Sequence, residues 1–126
     1  ALVLGASAVQ IGSRFVASVE ASCHNNFKNA VIDAIEGETM LSLKALTPVR
    51  LLKNNFYQQV QQAESICASK KQLEELLGRG RAKKGMFEGN MDDGELEIGQ
   101  VSSMINNIKP AAEILNEIWM EYNDLL

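Results

Sequence analysis

Residues 8–15 read AVQIGSRF, and this stretch decides the predicted fold. The mostly apolar run at residues 8–11 has the pattern of a short strand that is buried on both faces. Gly12 and Ser13 then form a tight turn, and Ser13 is expected to be the N-cap of a helix that reaches Val19. A strand that passes through a glycine turn into a helix is one repeat of an α/β fold.

The turn at Gly12 and Ser13 is also the segment most able to carry chemistry. The first backbone N–H groups of a helix have no intrahelical partner and lie at the positive end of its dipole, and the Ser13 hydroxyl lies beside them. Residues 10–13 are therefore a candidate site for an anion such as phosphate. A turn of this kind more often only redirects the chain and caps a helix, so both interpretations stay open on this feature alone.

The rest of the chain is predicted to be mainly helical. Ala1–Leu4 followed by Gly5 has the pattern of a last helical turn that ends on a glycine. The further predicted elements are a helix closed by Gly37, an extended piece at 39–43, a helix from Thr47 (N-cap) to Cys67, a helix from Ser69 to Gly78, a shorter helix at 81–87, a surface loop at 88–97, and helices at 98–108 and 111–126.

The bulk composition excludes several kinds of partner. With 126 residues the chain is too short for a complete (β/α)₈ barrel of about 250 residues. Its net charge of −4 gives no reason to expect nucleic acid or an anionic membrane as a partner, and no apolar run approaches the ~20 residues that cross a bilayer. Cys23 and Cys67 lack the spacing of metal ligands, so reduced thiols in a cytoplasmic protein are expected.

Several short sequence words in order resemble one flavoenzyme family. They are Leu-Gly-Ala at 4–6, Gln-Ile-Gly-Ser at 10–13, Arg-Phe at 14–15, His-Asn-Asn-Phe-Lys at 24–28, Val-Arg at 49–50, Lys-Asn at 53–54, Gly89 and Gly-Gln at 99–100. This order resembles the nitronate monooxygenases, formerly called 2-nitropropane dioxygenases, and the FMN-dependent enoyl-ACP reductase II group. In that family Gln-x-Gly-Thr ends the eighth barrel strand, and Ser13 replaces the Thr while keeping the hydroxyl.

The resemblance implies a fold class and a set of site residues. The chain is expected to be α/β, the carboxy-terminal fragment of a TIM (β/α)₈ barrel. Residues 1–22 would hold the last barrel strand, the FMN-phosphate turn and the following helix, and residues 23–126 a helical extension or lid. The cofactor-binding residues implied by the resemblance are Gln10, Ile11, Gly12 and Ser13, with Gly99 and Gln100 as further wall residues. The catalytic residues are expected upstream of residue 1.

The implied function of the intact protein is FMN-dependent oxidation of nitronates with O₂. The alternative within the family is reduction of an enoyl-ACP with NAD(P)H, and the sequence does not separate the two. A rival from another class is a helical dimerisation or binding module without a cofactor, present as a homodimer. We expect the 126-residue chain alone to be inactive and poorly stable, because a buried strand without neighbours leaves backbone groups unpaired.

Other conspicuous residues are interpreted as structural. His24, the only histidine, is expected to cap a helix or pack in the lid, and no metal site is expected. Residues 92–97 lack the spacing of a calcium loop and are expected to be solvated. The basic residues at 79–84 are expected to form an exposed charged turn, with docking of an acidic carrier protein as the alternative. A stripe through Trp119 and Tyr122 is expected to be core or a subunit contact.

Overall fold

The order of helices and strands follows from a computed structural model that describes residues 1–126 throughout. In chain order the elements are α1 (Ser13–Val16), α2 (Asn25–Asp33), β1 (Thr39–Ser42), β2 (Val49–Leu52), α3 (Asn55–Ser65), α4 (Lys70–Leu77), a π-helical turn (Lys83–Phe87), a 3₁₀ helix (Gln100–Met104) and α5 (Ala111–Asp124). None of the helices is both long and apolar enough to pass through a bilayer.

The strand predicted at residues 8–11 does not form in this chain. These residues have no regular secondary structure, and Val9 and Ile11 are exposed over 44% and 37% of their surface. The reason is that a strand needs neighbours for its backbone N–H and C=O groups, and the one sheet of the structure is the separate pair β1 and β2. The predicted buried strand is therefore wrong for residues 1–126 taken by themselves.

A β-hairpin occupies the region where the sequence predicted an extended piece followed by the start of a long helix. The extended piece is confirmed as β1, which pairs antiparallel with β2, so that Thr39 faces Leu52 and Ser42 faces Val49. The predicted helix start at Thr47 is wrong. Asn54 is the true N-cap of α3, because its side-chain oxygen accepts a hydrogen bond of 2.9 Å from the Tyr57 N–H.

Helices α2 and α4 and the final helix α5 lie close to their predicted positions. Ser69 and Gln72 form a reciprocal capping box at the start of α4. Of the helix predicted at 98–108, only the short 3₁₀ helix at Gln100–Met104 forms. The predicted loop at 88–97 is a surface loop at its start only, since Leu96 is buried and its carbonyl accepts a 2.9 Å hydrogen bond from the Leu52 N–H on β2.

Two apolar clusters hold these elements together. The first joins α2, β2 and the segment at 96–105, and its buried members are Ala17, Phe27, Val31, Ala34, Leu52, Leu96, Ile98 and Ile105. The second joins the hairpin to α3 and α4, and its buried members are Leu43, Leu51, Phe56, Val60 and Leu73. Because β2 contributes to both clusters, it connects the two halves of the chain.

The apolar stripe predicted on α5 is not core here. Ile114 is the buried residue of that helix, whereas Leu115 and Trp119 are exposed over 57% and 59% of their surface. Tyr122 lines a groove of about 640 Å³ together with residues 1–3 and 8–11. The prediction that the stripe is part of the core is therefore wrong within residues 1–126. The groove between α5 and residues 8–11 stays open, because those residues pair with no other strand.

Candidate functional site

The backbone amides at residues 10–14 are free of partners within the chain. Along the chain, the Ala6 N–H donates a backbone hydrogen bond, and the next N–H that does so is that of Phe15, to the Gly12 carbonyl at 2.9 Å. Gly12 is exposed and Ser13 is partly exposed, so these N–H groups face solvent. The segment therefore presents a row of unpaired N–H donors, which could bond to a neighbouring strand or to an anion.

Ser13 connects this turn to Gly99, which lies far away in sequence. The Gly99 N–H donates a hydrogen bond of 3.0 Å to Ser13 Oγ. A Cβ placed on Gly99 would lie 2.5 Å from Ser13 Oγ, so a larger residue there would force the Ser13 hydroxyl to move. Ser13 is the first residue of α1 and not its N-cap, which is Gly12 and makes no side-chain cap hydrogen bond. The predicted N-cap role of Ser13 is therefore wrong.

The predicted site residues divide between two grooves. Gly12, Ser13 and Gly99 line one open groove of about 450 Å³. Gln10 and Ile11 line the apolar groove along α5. The remaining predicted wall residue, Gln100, begins the 3₁₀ helix and is exposed.

The groove that holds Ser13 also contains charged residues that sequence reasoning did not place there. Its lining residues are Gly12, Ser13, Val16, Pro48, Val49, Arg50, Glu97, Ile98 and Gly99, and we call it the Ser13–Arg50 groove. Arg50 and Glu97 come from β2 and from the segment beside it, which are joined by a 3.1 Å hydrogen bond from the Ile98 N–H to the Arg50 carbonyl. In the sequence, Arg50 was noted only as part of the Val-Arg word at 49–50 that resembles the family. That resemblance did not indicate a role for Arg50 in the site.

Comparison with known proteins decides the family. The sequence model of the nitronate monooxygenase family matches residues 1–121. The chain belongs to the nitronate monooxygenase family. Two solved structures are similar to it over 98% of its length, FabK from Thermotoga maritima, with 33% identity and a TM-score of 0.86, and a point variant of that FabK, with 32% identity and a TM-score of 0.80. The chain spans 39% and 36% of those two proteins, respectively.

In this member of the nitronate monooxygenase family, hydrogen bonds within the fold hold the Arg14 side chain. It does not lie beside the unpaired amides of residues 10–14 as a further anion-binding group. Its guanidinium donates to the Asn107 carbonyl at 3.1 Å and to Asn107 Oδ1 at 2.6 Å. It also reaches the Ala17 carbonyl at 3.3 Å. Arg14 therefore fixes α1 against the segment before α5 and holds the neighbouring turn in place.

His24 has the structural role that the sequence predicted. It is the N-cap of α2, and its Nδ1 accepts a hydrogen bond of 3.0 Å from the Asn26 N–H. Gly89 packs so closely on the imidazole that a Cβ there would lie 2.5 Å from Nδ1. The capping and packing roles of His24 are confirmed.

The predicted basic turn at 79–84 is only partly a free charged surface. Arg81 donates to the carbonyls of Leu76, Leu77 and Asp93 at 2.8–3.0 Å, and its guanidinium lies 4.5 Å from the centre of the Phe56 ring. Lys83 and Lys84 lie within 4.0 Å of acidic partners at exposed positions. Arg81 therefore closes the end of α4, and the prediction that it is part of an exposed charged patch is wrong.

Glu95 is a carboxyl that the fold removes from solvent. Its side chain is buried and lines a groove beside Glu97, Glu74 and Lys70. Burial raises the pKa of Glu95 above its ordinary value, the charge of Glu97 raises it further, and Arg81 opposes both effects. The fold therefore favours the protonated form of the Glu95 carboxyl over the charged form.

The raised pKa of Glu95 predicts a measurable pH dependence. A carboxyl with a higher pKa in the folded state stabilises the fold fully below its unfolded pKa, and that contribution is lost as the pH rises through the folded pKa. We expect Glu95→Gln in the intact protein to raise the urea midpoint at neutral pH and to weaken the decline of stability between acidic and neutral pH. Glu36→Gln, at an exposed carboxyl, is the control. An unchanged pH profile in Glu95→Gln would contradict the assignment.

Proposed function

We propose that the intact protein containing this chain is an FMN-dependent oxidoreductase and that the turn at residues 10–13 binds the FMN phosphate. Membership of the nitronate monooxygenase family supports the enzyme over a cofactor-free helical module. When bound, FMN supplies the redox chemistry, and the protein supplies binding, orientation and electrostatic tuning.

The geometry of Ser13 is the observation that carries this proposal. A serine hydroxyl has one proton to donate and two lone pairs to accept with, and the Gly99 N–H occupies one of the lone pairs at 3.0 Å. The hydroxyl proton therefore remains available for an anion beside the unpaired amides of residues 12–14. A Cβ added to Gly12 would meet no atom within 4 Å, so a phosphate oxygen has room to approach the backbone there.

In this proposal Gln10 and Ile11 contribute main-chain groups only, because their side chains line the apolar groove along α5. Residues 8–11 would then be the last strand of a (β/α)₈ barrel whose other strands lie outside residues 1–126. The unpaired backbone of this segment and the match to about two fifths of FabK support that arrangement. The domain division at residue 22 is proposed on the same grounds.

The reaction proposed first is oxidation of a nitronate with O₂, as the family name implies. Reduction of an enoyl-ACP with NAD(P)H is the second candidate, and the likeness to FabK over 98% of the chain supports it. Nitronate-dependent O₂ uptake by the intact protein would favour the first reaction. NAD(P)H oxidation that requires an enoyl thioester would favour the second.

Removal of the Ser13 hydroxyl tests the phosphate site. We expect Ser13→Ala to weaken FMN binding by about tenfold or more, because a hydrogen bond to a charged group is lost. The measurement is a fluorescence titration of the apoprotein of the intact chain with FMN and, separately, with riboflavin. Because riboflavin has no phosphate, its affinity should stay the same.

The matched control is Ser103→Ala, an identical change at an exposed serine of the 3₁₀ helix. It should bind FMN as the unsubstituted protein does. Equal losses for FMN and riboflavin in Ser13→Ala, or none for either, would place the phosphate elsewhere.

A further inference from the structure

Lys28 on α2 is a buried cation for which the fold provides no anionic partner. Only 4% of its surface is exposed. Its Nζ donates hydrogen bonds to the Ser18 carbonyl at 2.7 Å and to the Val19 carbonyl at 3.1 Å. The ion pairs of the chain all involve other lysines. A buried charge is costly without an opposite charge, and neutral carbonyls compensate that cost only in part, so this ammonium is available to stabilise an anion bound nearby.

The two carbonyls that hold Lys28 follow α1 directly in the chain. A backbone hydrogen bond of 3.0 Å from the Val19 N–H to the Lys109 carbonyl fastens the same stretch on another side. Because α1 is only one turn long, the position of its first residue depends on where its last residues are fixed. Lys28 therefore holds one end of α1, and the turn at residues 10–13 lies at the other end.

The charge of Lys28 is close enough to act on an anion at that turn. The path from Ser13 to Ser18 corresponds to roughly 8 Å at the helical rise, so the ammonium lies on the order of 10 Å from the turn. Apolar residues flank the contact, since Ala17 beside Ser18 belongs to the same buried cluster as Phe27 beside Lys28. Water and salt therefore screen the interaction less than they would between groups at the surface.

We propose that Lys28 is a positioning residue for the cofactor phosphate: it fixes the end of α1, and its buried positive charge favours a dianion at the turn. The inference rests on the proposed function, because it concerns how the same turn selects FMN. Riboflavin has the same flavin ring as FMN and carries no phosphate. The Lys28 charge therefore raises the affinity for FMN and leaves the affinity for riboflavin almost unchanged.

The experiment measures the ratio of FMN affinity to riboflavin affinity in the intact apoprotein, by quenching of flavin fluorescence. We expect Lys28→Met, which keeps an unbranched side chain without the charge, to lower FMN affinity by about tenfold and riboflavin affinity by less than about twofold. Lys28→Arg keeps the charge and should keep most of the ratio. Lys71→Met makes the same change at an exposed lysine of α4 and should leave the ratio as it is.

A purely structural role for Lys28 predicts a different result. If the ammonium only stabilised the end of α1, Lys28→Met would lower the affinities for FMN and riboflavin by the same factor, and this outcome would overturn the inference. Unchanged affinities for both flavins would also overturn it, as would a ratio for Lys28→Arg as low as that for Lys28→Met.

If Lys28→Met fails to fold, Lys28→Gln replaces it, because the Gln amide still donates to a carbonyl while the charge is absent. A lowered ratio in Lys28→Gln supports the inference, and an unchanged ratio overturns it. The proposed function has its own readout in the unsubstituted protein. No FMN uptake there, or equal affinity for the two flavins, refutes the phosphate site, and the inference fails with it. A preference for FMN that survives in Lys28→Met refutes the inference alone.

Discussion

Gly94→Ala is expected to destabilise the intact protein by at least about 3 kcal/mol, the upper end of the usual cost of overpacking. A Cβ on Gly94 would overlap the Gly85 Cα and the Asn90 carbonyl oxygen, and would lie 2.7 Å from the Gly85 N. All these atoms are backbone, so no side chain can rotate away. The π-helical turn and the segment at 94–97 would have to separate.

The effect of Gly94→Ala should also reach the candidate site. Asn54 holds this segment through a 2.8 Å hydrogen bond from its Nδ2 to the Gly94 carbonyl, and the same segment leads through Ile98 to Gly99. A displaced segment would therefore move the N–H that orients Ser13 Oγ. We expect FMN affinity to fall together with the thermal midpoint of unfolding.

Gly12→Ala is the matched control for the stability of the flavin-free protein, since a Cβ there meets nothing within 4 Å and the backbone is not in the left-handed region. Its melting temperature should stay close to that of the unsubstituted protein. A Gly94→Ala protein that melts at the same temperature would show that the two glycine backbones are not in close contact.

Phe56→Ala should cost about 3–5 kcal/mol, the usual range for truncation of a buried phenylalanine. The ring is fully buried in the cluster formed by the hairpin, α3 and α4, with Leu43, Leu51 and Leu73 among its neighbours. It also carries the Arg81 guanidinium on its face at 4.5 Å, so its loss removes that contact as well.

Phe87→Ala provides the comparison for Phe56→Ala, because the Phe87 side chain is 51% exposed. Urea denaturation of both variants in the intact protein should give a large loss for position 56 and a loss of less than about 1 kcal/mol for position 87. Equal losses at the two positions would mean that the cluster around Phe56 is not a core.

The long helix predicted from Thr47 shows why local pattern failed in the middle of the chain. Val49 and Leu52 fit a helical spacing with Phe56 and Val60, but Leu51 and Leu52 are both buried, one in each apolar cluster. Consecutive residues that are buried on opposite sides require a strand. The pairing with β1 and the burial on both faces are contacts between distant residues, and the spacing of one segment does not encode them.

The candidate site was predicted in part for the same reason. Gly12 and Ser13 were found from a local turn pattern, and Gly99 from a family word. The structure adds two facts: Gly99 donates to Ser13 Oγ, and Arg50 and Glu97 line the same groove. Both depend on the packing of α1, β2 and the segment at 97–99. Glu95 was predicted to be solvated, but Leu96 enters the core next to it and buries its side chain as well.

By itself the amino-acid sequence determined the local features of this protein: the helix ends at Ser69 and His24, the turn at Gly12 and the family. These depend on residues within a few positions of one another, whose hydrogen bonds and backbone preferences are short-ranged. Only the tertiary structure decided that β2 is a strand, that residues 8–11 stay unpaired within this chain, and that Ser13 and Arg50 share a groove. Each of these depends on which distant backbone groups and side chains exclude water together, and that is a property of the packed chain as a whole.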